Sequence, residues 1–88
     1  MVIKNEDRDY FLSILNRLAE SQELFEGFRP EEGRALNNFA RGEMSAFCVF
    51  FGVEPGKFQG MNYWELRSLI CKLDEGDLSD LNRELYAA

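Results

Sequence analysis

Apolar residues recur along this 88-residue chain with a helical period, and no segment alternates apolar and polar positions for more than a few residues. At 100° per residue, Phe11, Ile14, Leu15, Leu18 and Phe25 fall on one side of a segment running from about Asp7 to Glu26, an amphipathic stripe. Gly27 suits the left-handed residue that ends such a helix. Pro30 then stands at the first turn of a second helix, with Glu31 and Glu32 complementing its positive N-terminal dipole. Ala35, Leu36, Phe39 and Ala40 are expected to face inward there, and Arg34, Asn37, Asn38 and Arg41 outward. Gly42 is expected to close it.

The stretch "SAFCVFFGV", residues 45 to 53, is apolar at seven of nine positions. Glu43 to Phe51 lies between Gly42 and Gly52 and is too long for a typical mid-sheet strand. It also lacks β-branched residues apart from Val49. The pattern predicts a third helix, with Met44, Phe47, Cys48 and Phe51 on one face and Ala46, Val49 and Phe50 on the other. A helix that is apolar all round is either enclosed on every side or presents one face to another molecule. Both arrangements remain open for Phe50 and Val49, and in either the segment reads as the hydrophobic hub of the domain.

The connector "VEPGKFQG" predicts a single turn begun at Pro55 with Phe58 tucked beneath it. In "MNYWEL", Asn62 is a good N-cap and Glu65 stands three residues on, as a capping box requires. Met61 and Leu66 match a hydrophobic staple. Leu66, Leu69, Ile70 and Leu73 continue as an inward stripe, with Trp64, Arg67 and Cys71 on one flank and Gly76 as the stop. A last helix, from Asp77 or Leu78 to about Tyr86, turns Leu78, Leu81 and Leu85 inward. The expected fold is a single all-α domain, residues 1–88, a compact bundle of about five short helices.

Composition narrows the function. An apolar fraction of 45% and an aromatic fraction of 14%, with eight Phe against two Pro, exclude a disordered chain. No apolar run approaches the roughly 20 residues of a membrane span. The N-terminal "MVIKNEDRDY" turns polar at Lys4, unlike a secretory signal, which points to the cytoplasm. Cys48 and Cys71 both fall in apolar helical patterns; one disulfide between them is an alternative, and the expectation is two buried thiols of a reducing compartment. A formal net charge of −6 argues against direct binding of a nucleic-acid backbone, and is compatible with a basic protein partner or with simple solubility.

Catalytic and cofactor chemistry find little support. The chain has no His, so Ser-His and Cys-His pairs cannot be assembled and a structural zinc site cannot be completed. No Asp or Glu occupies an apolar setting that would clearly raise its pKa, and the position of Glu65 is explained by capping. No glycine loop of a phosphate-cradling kind is present. A calcium loop begun at Asp74 would put Gly76 and Leu78 at ligand positions and Ser79 where the turn needs Gly. A helix-turn-helix fails because the connector from Gly52 to Met61 is too long and the following helix offers only Arg67 as a cation. No enzyme, cofactor or metal is expected.

Partner binding is the remaining reading. Aromatic anchors dominate interface energetics, which singles out Trp64, Tyr63 and Phe50, with Arg67 beside them. Phe28 and Phe58 are expected to be apolar plugs beneath connectors, and Trp64 could belong to core or surface. Two acidic corners offer a second kind of surface: Glu20, Glu23, Glu26, Glu31 and Glu32, and Asp74, Glu75, Asp77, Asp80 and Glu84. They could imitate a row of phosphates, or could simply be solvated helix faces.

The residues Gly52, Val53, Pro55, Phe58, Met61, Glu65 and Leu66, in "GVEPGKFQGMNYWEL", resemble a motif of small tail-assembly chaperones of tailed phages. The resemblance covers residues 52–66. Asn62 stands where that family has a small hydroxyl residue, and the first two predicted helices have no counterpart in it. It implies a small helical protein that binds a tape-measure protein during tail building, and carries no binding residues across.

Two functions follow as expectations. In one, the protein is an inhibitor of phage or mobile-element kind, or a toxin-immunity protein, that occupies a basic nucleic-acid-handling protein through its acidic corners. In the other it is an assembly chaperone or adaptor using an apolar groove around the third and fourth helices. A homodimer seam on the same apolar face is a further alternative.

Overall fold

The computed structural model describes residues 2–87, and these form an all-α bundle of five helices. They are α1 (Asn5–Glu26), α2 (Pro30–Phe51), α3 (Gly56–Gln59), α4 (Tyr63–Glu75) and α5 (Leu78–Tyr86). Among the described residues no helix is long and apolar enough to cross a membrane.

The hub is α1. It packs along α2 on one side and against α4 and α5 on others, whereas α2 and α4 barely touch. Phe11, Ile14, Leu15 and Leu18 are the stripe that makes this possible, all essentially inaccessible to solvent. The Phe11 ring lies 5.1 Å from Phe47 of α2 and 5.1 Å from Phe58 of α3, so one side chain joins three helices. Leu66, Leu69, Ile70 and Leu73 of α4 and Leu81 and Leu85 of α5 complete a continuous core, as their spacing predicts. The central position expected of residues 43–51 therefore belongs to α1. That segment is helical and buries Met44, Phe47, Cys48 and Phe51, but its other face is open.

The second and third predicted helices are one. Gly42 does not interrupt α2, because a lone glycine costs a helix only about 1 kcal/mol relative to Ala and the buried series Ala40, Met44, Phe47, Cys48, Phe51 runs through it in phase. The helix ends at Gly52, whose φ of 70° is the left-handed conformation. Gly27, by contrast, ends α1 with φ −92° and no left-handed turn.

Continuity of α2 changes which residues face the core. Gly33 and Ala40 are buried and Asn37 is half-buried, while Phe39 and Ala35 point to solvent, the reverse of the expectation for Phe39, Ala35 and Asn37. The cause is a close crossing. A Cβ on Gly33 would lie 2.5 Å from the Phe25 backbone nitrogen and 2.7 Å from the Ser21 carbonyl oxygen, so only glycine fits. At the same crossing Asn37 Nδ2 donates to Ser21 Oγ at 3.1 Å, and Ser21 Oγ donates to the Leu18 carbonyl at 2.6 Å. With the backbones this close there is no space for Phe25 between them, and it is half-exposed beneath the Arg34 guanidinium, 5.9 Å from its ring.

Two further expectations are corrected. Phe28 lies fully in solvent because the link between α1 and α2 is only three residues long, too short to fold back over the core; Phe58 is the buried plug. Cys71 is exposed because it falls on the flank of α4 opposite the Leu66–Leu73 stripe, and only Cys48 is buried. Both are free thiols.

Candidate docking surfaces

The start of α4 is fixed by several independent contacts. Asn62 Oδ1 accepts from the Glu65 backbone N–H at 2.9 Å, and Glu65 Oε1 accepts from the Asn62 N–H at 3.0 Å, the reciprocal box that the sequence predicts. Gln22 Nε2 donates to the Met61 carbonyl at 3.1 Å, and the Tyr63 hydroxyl donates to Glu23, so α1 holds the entry of α4 from the side. The Tyr63 hydroxyl has its pKa raised above the ordinary value, chiefly because Glu23 accepts its hydrogen bond, with Arg67 one turn along opposing the effect. Trp64 stands edge-on to Tyr63 with ring centroids 5.2 Å apart. It is 77% exposed, on the outside of the bundle.

Shallow grooves flank this ring. One, of about 420 Å³, lies between the end of α1 and the start of α4 and is lined by Gln22, Glu23, Glu26, Asn62, Tyr63 and Trp64. The other, of about 480 Å³, lies between α4 and the end of α5, where Leu69, Ser68 and Glu65 meet a Lys72–Glu84 ion pair 2.5 Å long. Arg67 is exposed on the same helix, in no ion pair among the described residues.

Phe50 belongs to a different surface. It is 64% exposed, and neither groove beside Trp64 includes it. It ends a row on the outer side of α2: Ala35, Phe39, Gly42, Ala46, Val49 and Phe50, all exposed. The first five recur every four and three residues, which keeps them on one side of a helix. Phe39 is 60% and Val49 74% exposed. By helical geometry Glu31 heads this row, and the other charged side chains stand at its edges, Arg34 and Arg41 on one and Glu32 and Glu43 on the other. Glu43 is tied down, its two oxygens accepting from Arg17 at 2.6 and 2.8 Å and from the Tyr10 hydroxyl at 3.1 Å. Residues 43–51 and α4 are joined chiefly through α1, with little direct contact between α2 and α4.

The acidic residues divide by what they already do. Glu31 is exposed in the first turn of α2, and Glu32 is paired with Arg29, which holds its carboxyl below the usual range. Asp77 caps α5, accepting from the N–H groups of Ser79 and Asp80 and from the Ser79 hydroxyl, and these bonds lower its pKa. Asp80 returns a bond to the Asp77 N–H at 2.9 Å and meets Arg83. Asp74 and Glu75 are exposed at the end of α4. The groove carboxylates Glu23 and Glu26, by contrast, are in no ion pair among the described residues. The sequence points to Glu23 and Glu26 only as members of a corner; their meeting with Trp64 is set by the α1–α4 packing.

Among the described residues no group of three or more His, Cys, Asp or Glu side chains is placed to hold a metal ion. The chain matches no protein-family model, and neither a curated protein nor a solved structure shows significant similarity to it.

Proposed function

We propose that the protein is a small acidic, non-catalytic module that binds another protein, acting as an inhibitor of phage or mobile-element kind that occupies a basic nucleic-acid-handling partner. The observation that supports this most is Trp64, held almost free of contacts beside Glu23 and Glu26. A large indole left in water by a fold that contributes four contacts to fix its base is the kind of anchor that dominates interface energy. The surrounding carboxylates and the net charge of −6 favour a basic surface opposite it. A toxin-immunity role would use the same physics.

The outer row of α2 favours a second reading, an assembly chaperone or adaptor that covers an apolar helix face. Ionic strength separates the two. With a partner captured from the native host, the inhibitor reading expects affinity to fall steeply between low and physiological salt, since exposed charges are screened within about 8–10 Å. Affinity that is indifferent to salt and lost in Phe50→Gln would replace it with the adaptor reading.

A further inference from the structure

The geometry points to an arginine side chain of a basic partner segment as the occupant of the groove between α1 and α4, stacked on Trp64 and paired with Glu23 and Glu26. This rests on the protein-binding reading and names the partner chemistry at that site. Every charged side chain lining the groove is a carboxylate. Glu23 and Glu26 stand one turn apart on α1, so they share a face and converge on the same space. Trp64 offers the ring face with the strongest attraction for a cation, and it is exposed to receive one.

Arginine fits better than lysine. A guanidinium is planar, stacks on an indole and still presents in-plane N–H donors that match a carboxylate, whereas an ammonium is a strongly hydrated point charge. The site is also preorganised: the Asn62–Glu65 box, the Gln22–Met61 bond and the Tyr63–Glu23 bond hold its walls before anything binds, which lowers the ordering cost of association. Arg67, one helical turn from Trp64, is the neighbouring charge that opposes a cation there.

Trp64 is the only tryptophan in the chain, so its fluorescence reports on the two grooves that flank it, and the Glu23/Glu26 double variant tells them apart. The experiment titrates the full chain with the blocked peptide Gly-Arg-Gly-Arg-Gly, and separately with its Lys and Ser counterparts. A saturable change in emission with the Arg peptide is expected, at least threefold weaker with Lys and absent with Ser. The Glu23→Gln/Glu26→Gln variant should weaken Arg-peptide binding tenfold or more, while Asp74→Asn/Glu75→Gln, which removes the same charge elsewhere, changes it less than twofold. Circular dichroism verifies that both variants keep the helical fold. No emission change, equal binding of Lys and Arg peptides, or equal losses in the two double variants would each overturn the proposal. A protein partner whose affinity survives Glu23→Gln/Glu26→Gln would overturn this groove and leave the binding-module reading standing. Arg-peptide binding that meets every expectation, alongside a native partner that is not basic, would leave the groove and overturn the inhibitor reading.

Discussion

The inner and outer faces of α2 carry similar amounts of apolar side chain and do opposite things. Inside, Ala40, Met44, Phe47, Cys48 and Phe51 meet α1 and α3 and are withdrawn from water. Outside, Ala35, Phe39, Ala46, Val49 and Phe50 meet nothing that removes them from it. Hydrophobicity alone does not tell the faces apart; the partner helix does. The chain thus carries apolar surface beyond what its fold consumes, and the same holds for Trp64 on α4.

Breaking the inner face should cost most. Phe47→Ala removes a ring in contact with Phe11 and Phe51, and should lower stability by about 3–5 kcal/mol in urea unfolding, a loss from cavity formation and lost burial. A loss below about 1 kcal/mol would mean that the two faces are not distinct. The close crossing comes next. Gly33→Ala drives a Cβ into backbone atoms of α1, and the overpacking cost of about 1–3 kcal/mol should outweigh the helix-propensity gain.

The inner face also has a pH signature. Burial raises the Cys48 thiol from its ordinary value of 9.0 to about 11. The folded chain therefore holds that proton more tightly than the unfolded one, so the contribution is intact below pH 9 and lost as pH rises towards 11. The Cys48 contribution should make stability fall with rising pH across that window, and Cys48→Ala should remove that part of the slope. Under native conditions a thiol reagent should modify Cys71 quickly and Cys48 only through opening of the fold.

The smallest effect reverses sign. Gly42 sits on the outer face with open space where a Cβ would go, so Gly42→Ala should stabilise by about 0.5–1 kcal/mol. Together the two alanine substitutions test the comparison within one helix: the same change should harm at position 33 and help at position 42.

Much of this is legible in the sequence, and the main departures come from helical phase and from how closely the helices approach. The α1 stripe, the Asn62–Glu65 box, the Pro55 turn over Phe58 and the α4 stripe follow from local spacing and capping, which depend on residues within a turn or two. A helix end at Gly42 resets the helical phase and turns the bulky Phe39 inward. Carrying the phase of Phe47, Met44 and Ala40 back through Gly42 places Gly33 and Asn37 inside and Phe39 outside, as found. What no spacing reveals is how near two backbones approach. The crossing at Gly33, the exposure of Phe25 and the meeting of Glu23 and Glu26 with Trp64 depend on that approach. Residues 45–53 suggest a hub because apolar density is greatest where α2 has two apolar faces, but only one of these is covered.

If the exposed aromatic residues serve a partner, as proposed, the fold should not depend on them. The most direct test is urea unfolding of the Phe39→Gln/Phe50→Gln/Trp64→Gln variant, followed by circular dichroism. The stability of the triple variant should stay within about 1 kcal/mol of the parent chain, as for surface substitutions away from structural features. A loss approaching that of Phe47→Ala would place those rings in the core and contradict the account.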